Sequence, residues 1–473
     1  MIEELVNNDA FVCSLSFCLE SNRGGEKANG NGRARLEKEK LFLSAEYGET
    51  FTFPLRDIRD IRKQDYRLRL DLSSDESLGL YKLGYKFEDF TRILCKFRNE
   101  LIIQDMLIRE KTRKNDVEGK FVFLNADGKE EFSGKCEVRI YETSLTVIPE
   151  TSQIFRIPLG HIREFQPEDY SMTVVTDSGE RIILSHMGYR LDESKNALDD
   201  ALNEISGKTI AFLHEMLPGT DAPLIRKVSH LLKEGKLAGR KEIEAVSPDL
   251  WEAFEKMISL SPLADEYEFL GSIGRSDRVA VGFKRGLMGG PLQDYFWFLL
   301  PIYSDKAGAM GNAAAFEAGT IRLPASKSGD DEIIGAHESD ANKEDSSAEP
   351  LLKQEGKATY FFRLMGREEY AALKDRSLLD HRLDEIIYSL NRCMQEVNFR
   401  REPIYLSEKK LNEPGFIKYK YAINRLPELR RLRDLFIGRV AHRTQGQWRQ
   451  DVSALLEFNG RSVDNAEKWK KGD

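Results

Sequence analysis

The sequence predicts an α+β protein: two tandem β-barrels each capped by a C-terminal helix, a helical connector, and a C-terminal α+β domain. Three observations predict it. Matching residues recur at one fixed offset, the apolar period switches from 2 to 3.6 inside each copy, and the second half carries β-like runs followed by a long helical pattern.

A shift of 104 residues carries Pro54-Leu55-Arg56-Asp57-Ile58 onto Pro158-Leu159-Gly160-His161-Ile162. The same shift carries Asp65-Tyr66 onto Asp169-Tyr170, Leu80 onto Leu184, Gly84-Tyr85 onto Gly188-Tyr189 and Asn99-Glu100 onto Asn203-Glu204. An ordered series at one offset marks an internal duplication of a unit of domain size. Inside copy one, Tyr66, Leu68, Leu70 and Leu72 alternate with polar residues, Ser74-Asp75-Glu76 turns, and Leu78 and Leu80 resume the alternation, a hairpin with one apolar face. In copy two Tyr170, Met172 and Val174 precede the turn Asp177–Glu180, then Ile182 and Leu184. Phe87, Phe90, Ile93, Leu94, Phe97 and Leu101, and in the second copy Leu191, Ala197, Leu198, Ala201, Leu202 and Ile205, then fall at helical spacing. Short strands closed by one helix fit a small open barrel. The Gly-Tyr pairs read as turns into the helix with a packed aromatic, and the Asp-Tyr pairs as a turn and a strand start.

On Phe53–Ile58, Ile157–Ile162 and the terminal helix, each unit resembles the pleckstrin-homology-like superfold. The resemblance covers residues 8–112 and 117–216, and the C-terminal half resembles no family. It implies modules at 1–113 and 117–217 that bind lipid headgroups, peptides or protein surfaces without catalysis. The first copy is expected to insert a flexible polar loop, Ser21–Gly32, after its first strand. Lys27 with Arg33 and Arg35 resembles the basic loop that holds phosphorylated headgroups, but Arg33 and Arg35 also fit the solvated face of a strand, and that reading outweighs a lipid ligand.

Beyond Pro218–Pro223, residues 218–262 read as a helical connector, with helical runs at Leu224–Leu232 and Leu250–Ile258. The acids Asp249, Glu252 and Glu255 argue against DNA recognition by this helix pair. The domain 263–460 begins with β-like sequence from Tyr267 to Tyr303. Gly286–Pro291 there is a hairpin loop rather than a phosphate cradle, since no Gly-Lys step opens a helix. Tyr295–Tyr303 is apolar on both faces, as in a central strand. Residues 326–350, rich in Ser, Asp and Glu, predict a disordered acidic loop between strands of one domain, because Ala358–Met365 is again β-like. A helix from about Ser377 follows, carrying Asp380, His381, Asp384 and Glu385 on its wet side. A third copy of the module has no residue-level match here. The basic tail Ile417–Gly446 carries Arg430, Arg431 and Arg433, either as a surface for nucleic acid or an acidic partner, or as the wet side of a helix whose stripe is Leu426, Leu429, Leu432, Leu435 and Phe436.

Composition bounds the function. The 473 residues carry net charge −8, 41% hydrophobic and 32% charged residues, an ordinary globular balance with no overall footprint for nucleic acid. No apolar run spans a membrane, and the start has neither a basic n-region nor an apolar h-region, so a cytoplasmic protein is expected. Cys13, Cys18, Cys95, Cys136 and Cys393 are too scattered for a disulfide framework, and the seven histidines form no zinc spacing. No cofactor, metal or catalytic motif is expected. The leading function is a non-enzymatic adaptor or scaffold whose tandem modules bind a protein or peptide. The alternatives are a nucleic-acid-associated protein using the Arg-rich helix, similar in outline to chromatin chaperones with tandem modules of this superfold, and an enzyme with a site within 265–410.

Overall fold

The alternation in the first half resolves into two seven-stranded antiparallel sheets of identical connectivity in a computed structural model. It describes residues 10–21, 25–46, 48–106, 110–150, 154–285, 294–303, 311–321, 357–373, 377–397, 399 and 401–461. The first sheet comprises β1 (Phe11–Ser21), β2 (Glu26–Leu36), β3 (Lys40–Ala45), β4 (Thr50–Pro54), β5 (Ile58–Gln64), β6 (Arg67–Leu72) and β7 (Glu76–Tyr81), followed by helix α1 (Phe87–Asp105). The second comprises β8 (Thr112–Leu124), β9 (Glu130–Tyr141), β10 (Ser144–Pro149), β11 (Phe155–Pro158), β12 (Ile162–Pro167), β13 (Ser171–Thr176) and β14 (Arg181–Ser185), then α2 (Arg190–Met216). Their orders, β4-β3-β2-β1-β7-β6-β5 and β11-β10-β9-β8-β14-β13-β12, are the same.

The sequence offset is also an offset in backbone geometry. Pro54 and Pro158 both have φ −60°, with ψ 132° and 131°, and each opens a one-turn 3-10 helix. Leu55 N donates to Glu39 O at 2.8 Å, and Leu159 N to Thr143 O at 2.9 Å. All seven strands of the first sheet and α1 share one core, from Phe11, Leu41 and Leu70 to Phe90 and Leu94, so the sheet curls around a helix that buries its apolar stripe.

Of the segment Ser21–Gly32 read from sequence as a flexible loop, Ser21 ends β1, residues 22–24 lie outside the described residues, and residues 26–32 are part of β2, paired with β1 from Glu20↔Glu26 to Phe11↔Leu36. The small residues that suggested a loop are the inward positions of a tight hairpin. A Cβ at Gly32 would lie 2.5 Å from the carbonyl oxygen of Ser44, so only glycine lets β3 approach there. The 104-residue offset therefore runs back without a gap into the first strands, pairing Phe17 with Phe121 and Gly30 with Gly134.

The chain divides into two compact units, ending at Ala201 and beginning at Leu202. In the second unit α3 (Ala222–Leu231), β15 (Ala238–Gly239), α4 (Arg240–Val246), α5 (Pro248–Ser259) and α6 (Ala264–Ile273) precede the longer strands β16 (Ala280–Arg285), β17 (Asp294–Ile302), β18 (Ala313–Ile321) and β19 (Ala358–Arg363). Then come α7 (Arg367–Ala372), α8 (Ser377–Glu396), α9 (Glu402–Tyr405), α10 (Glu408–Leu411), α11 (Ile417–Arg425), α12 (Pro427–Leu435), β20 (Phe436–Ala441) and α13 (Gln445–Arg461). The sheet is a meander, β15 to β20 in sequence order, unlike the crossed order of the two copies, so it is no third copy of the module.

Ile225, Ile243, Trp251 and Phe254, within the expected connector, lie in one core with Phe296, Phe298 and Leu300 of β17 and Trp448 of α13. The segment 218–262 is thus a packed layer of this unit. Tyr267, expected in a strand, lies on α6, and β20 interrupts the tail read as helix. On the sheet's other face Trp297 Nε1 donates to Asn391 Oδ1 of α8 at 3.3 Å, and its ring lies 4.4 Å from Phe399. A strand covered on both faces has no polar alternation, which accounts for the apolar run of β17. The hairpin loop Gly286–Pro291 and the acidic stretch 326–350 lie outside the described residues. The strands flanking the acidic stretch, β18 and β19, pair directly.

Gly282 faces Trp297, and a Cβ there would come within 2.6 Å of the indole. Gly282→Ala is expected to cost about 1–3 kcal/mol through overpacking, read as a lowered urea midpoint.

Candidate functional site

Each copy exposes the same two tyrosines. At the β5–β6 turn, Asp65 and Tyr66 adopt φ 49° and 57°, the paired left-handed residues of a tight hairpin, so β6 starts at Arg67 and Tyr66 is 74% exposed. Tyr170, at the β12–β13 turn, is 87% exposed. Tyr85 and Tyr189 follow Gly84 and Gly188, whose φ values of 60° and 58° turn the chain into the helix. They are 91% and 81% exposed rather than packed, as the sequence suggested.

Contacts place the two tyrosines of each copy at one end of its sheet. The Tyr66 ring meets Phe87, the first residue of α1, at 5.5 Å, and Lys63 Nζ contacts Glu88 of α1 at 2.6 Å. In copy two Lys195 of α2 donates to the carbonyl of Glu168 in the β12–β13 turn, and Arg190 stacks on Tyr189 at 5.8 Å. Lys82 and His186, also at matching positions, share φ 59° and 58°. The motif is thus a pair of solvated phenol rings flanking a helix start; both copies enter the helix by the same backbone path, whereas the left-handed pair Asp65-Tyr66 has no counterpart at Asp169-Tyr170.

Lys27, Arg33 and Arg35 all lie on β2 and point to one side of it. Six residues of strand separate Lys27 from Arg33, about 20 Å. Lys27 pairs with Glu76 and Arg35 with Glu37, so these two carry counter-charges, and Lys27 stands too far from Arg33 for the three to converge on one phosphate.

The Arg-rich helix α12 divides its arginines. Arg430 and Arg431 are exposed, and Arg430 donates to Asn424 O at 2.9 Å. Arg433 is 3% exposed and donates to the carbonyls of Pro403, Ile404 and Leu406 at 2.7, 3.3 and 2.9 Å, with Glu408 Oε1 at 3.0 Å. It ties the α9–α10 segment to α12 and presents nothing to a partner. Asp380, expected on the wet side of α8, instead accepts from Tyr303 and Arg275, with Arg278 at 3.7 Å.

One polar cluster escaped sequence reading. His442 Nε2 lies 3.1 Å from Glu317 Oε2 and Nδ1 lies 2.9 Å from Glu266 Oε1. Thr359 Oγ1 donates to Glu317 at 2.5 Å and accepts from Trp448 Nε1 at 2.9 Å. Burial alone would lower the imidazole, but hydrogen bonds to both carboxylates, with their charges, raise it from 6.5 to about 9. Both ring nitrogens face carboxylates, which favours the protonated ring below about pH 9 and leaves neither nitrogen open to a substrate, and Thr359 is fully buried. Hydroxyl, imidazole and carboxylate are therefore adjacent here, as in a hydrolase, but serve to bind α6 to the sheet. The one available signal was Glu317, a lone charge inside the small apolar run Ala313–Ala318.

Among the described residues no group of His, Cys, Asp and Glu side chains is arranged to hold a metal, and no helix is long and apolar enough to cross a membrane. An open depression of about 300 Å³ on α3 is lined by Ala222, Pro223, Arg226, Lys227 and His230.

No family model matches the chain, and no curated protein matches it. Forty-one chains among solved structures match. One is from the structure of the Spt16D Pob3N heterodimer, at 17% identity over 35% of this chain and 83% of that chain, with a TM-score of 0.15. At that score the likeness carries no argument.

Proposed function

We propose that residues 1–113 and 117–217 are tandem pleckstrin-homology-like modules and that the chain is an adaptor that binds a protein or peptide through the tyrosine-bearing end of each. The observation that carries this reading is the retention, in two copies that otherwise share few residues, of large aromatics at matching positions with 74–91% of their surface in water. Core residues recur because packing demands them. An exposed Tyr gains little in the free chain, whereas at an interface it supplies a large, stiff, amphipathic contact, which is why tyrosine is enriched among binding hot spots. Two such ends on one chain gain avidity for a partner that engages both.

Full-length wild type and the variant Y66A/Y85A/Y170A/Y189A serve as baits in native lysate, with mass spectrometry of what each retains. Stability is expected to change by about 1 kcal/mol or less, because three of the rings make few contacts. Proteins held by wild type are expected to fall at least about tenfold on the variant. Equal retention by both baits rejects the reading.

A further inference from the structure

The opposite end of the second barrel differs from that of the first in a way that points to a ligand. Both copies place a phenylalanine pair here, Phe17 with Phe51 and Phe121 with Phe155, at 5.9 and 5.7 Å between centroids. A glycine on the neighbouring strand lies over the first ring in each: a Cβ would come 3.9 Å from Phe17 at Gly30 and 3.8 Å from Phe121 at Gly134. Where copy one has Leu19 opposite Ala28, copy two has Phe123 opposite Phe132. Those rings stack at 4.6 Å with planes 6° apart, and each lies 5.7 Å from Phe155. Phe132 is 38% exposed, and Phe123 and Phe155 are half-buried.

Charge changes with them. The turns at this end lie together, since a Cβ at Gly179 would be 3.4 Å from Ala126 Cβ. Asp127, Glu130, Glu131, Asp177 and Glu180 stand on or beside them, against Lys129 and Arg181. Glu131 occupies the position that Lys27 holds in copy one, so the site is acidic where its counterpart is mixed.

We infer that this end of the second barrel docks a basic peptide segment, whose apolar side chain inserts among Phe123, Phe132 and Phe155 while its cations meet the carboxylate rim. The stacked rings offer apolar area, and their exposed faces attract a guanidinium or ammonium. A negative rim recruits cations and repels anionic peptides and anionic membranes. The tyrosines lie at the other end of the strands, so the inference stands apart from the proposed adaptor surface.

The test is fluorescence anisotropy of labelled KRLFKR and EDLFED peptides with the full chain at low salt. KRLFKR is expected to bind at least tenfold more tightly than EDLFED. F123L/F132A, which writes the first copy's residues into the second, is expected to weaken KRLFKR at least tenfold, and E131K several-fold, while Y85A/Y189A leaves it unchanged. Indifference to peptide charge, or to both F123L/F132A and E131K, overturns the inference. So does co-sedimentation with neutral phosphatidylcholine vesicles that is lost in F123L/F132A, which would make the patch a membrane contact. If F123L/F132A fails to fold, E131K alone decides.

Discussion

Replacing Arg433 by glutamate is expected to unfold the C-terminal unit, whereas R430E/R431E leaves it folded. The Arg433 guanidinium is buried against three carbonyl oxygens and Glu408. Truncation to Met keeps most of the volume but strips those carbonyls of their donors, at about 3–5 kcal/mol. A glutamate adds a buried anion facing carbonyl oxygens and Glu408, a larger cost that approaches the roughly 5–15 kcal/mol holding a domain folded. Urea denaturation followed by tryptophan fluorescence reads this directly, because Trp251, Trp297 and Trp448 are all buried in this unit. An R433E midpoint within error of wild type would show that the guanidinium is not held as described. Any assay of nucleic-acid binding by this helix should rest on R430E/R431E alone, since including Arg433 confuses lost contact with lost fold.

The second large effect is at His442. With the imidazole removed, the buried Glu317 and the partly buried Glu266 are left without their shared cation, and H442A is expected to cost about 3–5 kcal/mol. The same cluster gives stability a pH dependence. The folded imidazole is raised from 6.5 to about 9, so it binds its proton more tightly folded than unfolded. Its contribution is fully present below about pH 6.5 and is lost as pH rises through about 9. At about 1.4 kcal/mol per pKa unit, the displacement corresponds to ~3 kcal/mol. The groups facing the ring are Glu266 from α6, Glu317 from β18 and Thr359 from β19, with the Trp448 ring 5.4 Å away and tilted by 47°. Urea midpoints between pH 6 and pH 10 are expected to fall for wild type, with most of that slope absent in H442A. A wild-type profile matching that of H442A would mean the imidazole is not shared between the two carboxylates.

The duplication was legible because it is written in residues the backbone requires: Pro54 and Pro158 preset φ for the 3-10 turn, and Gly84 and Gly188 supply a left-handed turn into the helix. Strand β2 was not, because Ala28, Gly30 and Gly32 are small for reasons of close approach to a neighbouring strand, and local composition cannot separate that from a loop. Fate of side chains was harder to read than path of backbone. Tyr66 continues an alternating pattern with Leu68 and Leu70, yet the tight turn ends the pattern one residue early and leaves the ring in water. Arg430, Arg431 and Arg433 look alike on α12, and only the fold back of residues 403–408 buries the last. The Glu266–His442–Glu317 cluster draws on residues up to 176 positions apart in the chain, a distance no local motif spans.

The most direct test of the adaptor reading is covalent labelling of tyrosine in the full-length chain, free and in complex with whatever it retains from lysate, read residue by residue by mass spectrometry. Tyr66, Tyr85, Tyr170 and Tyr189 are expected to lose labelling together in the complex while other exposed tyrosines do not. Labelling of all four at the level of the free chain contradicts a binding role for this end of the modules.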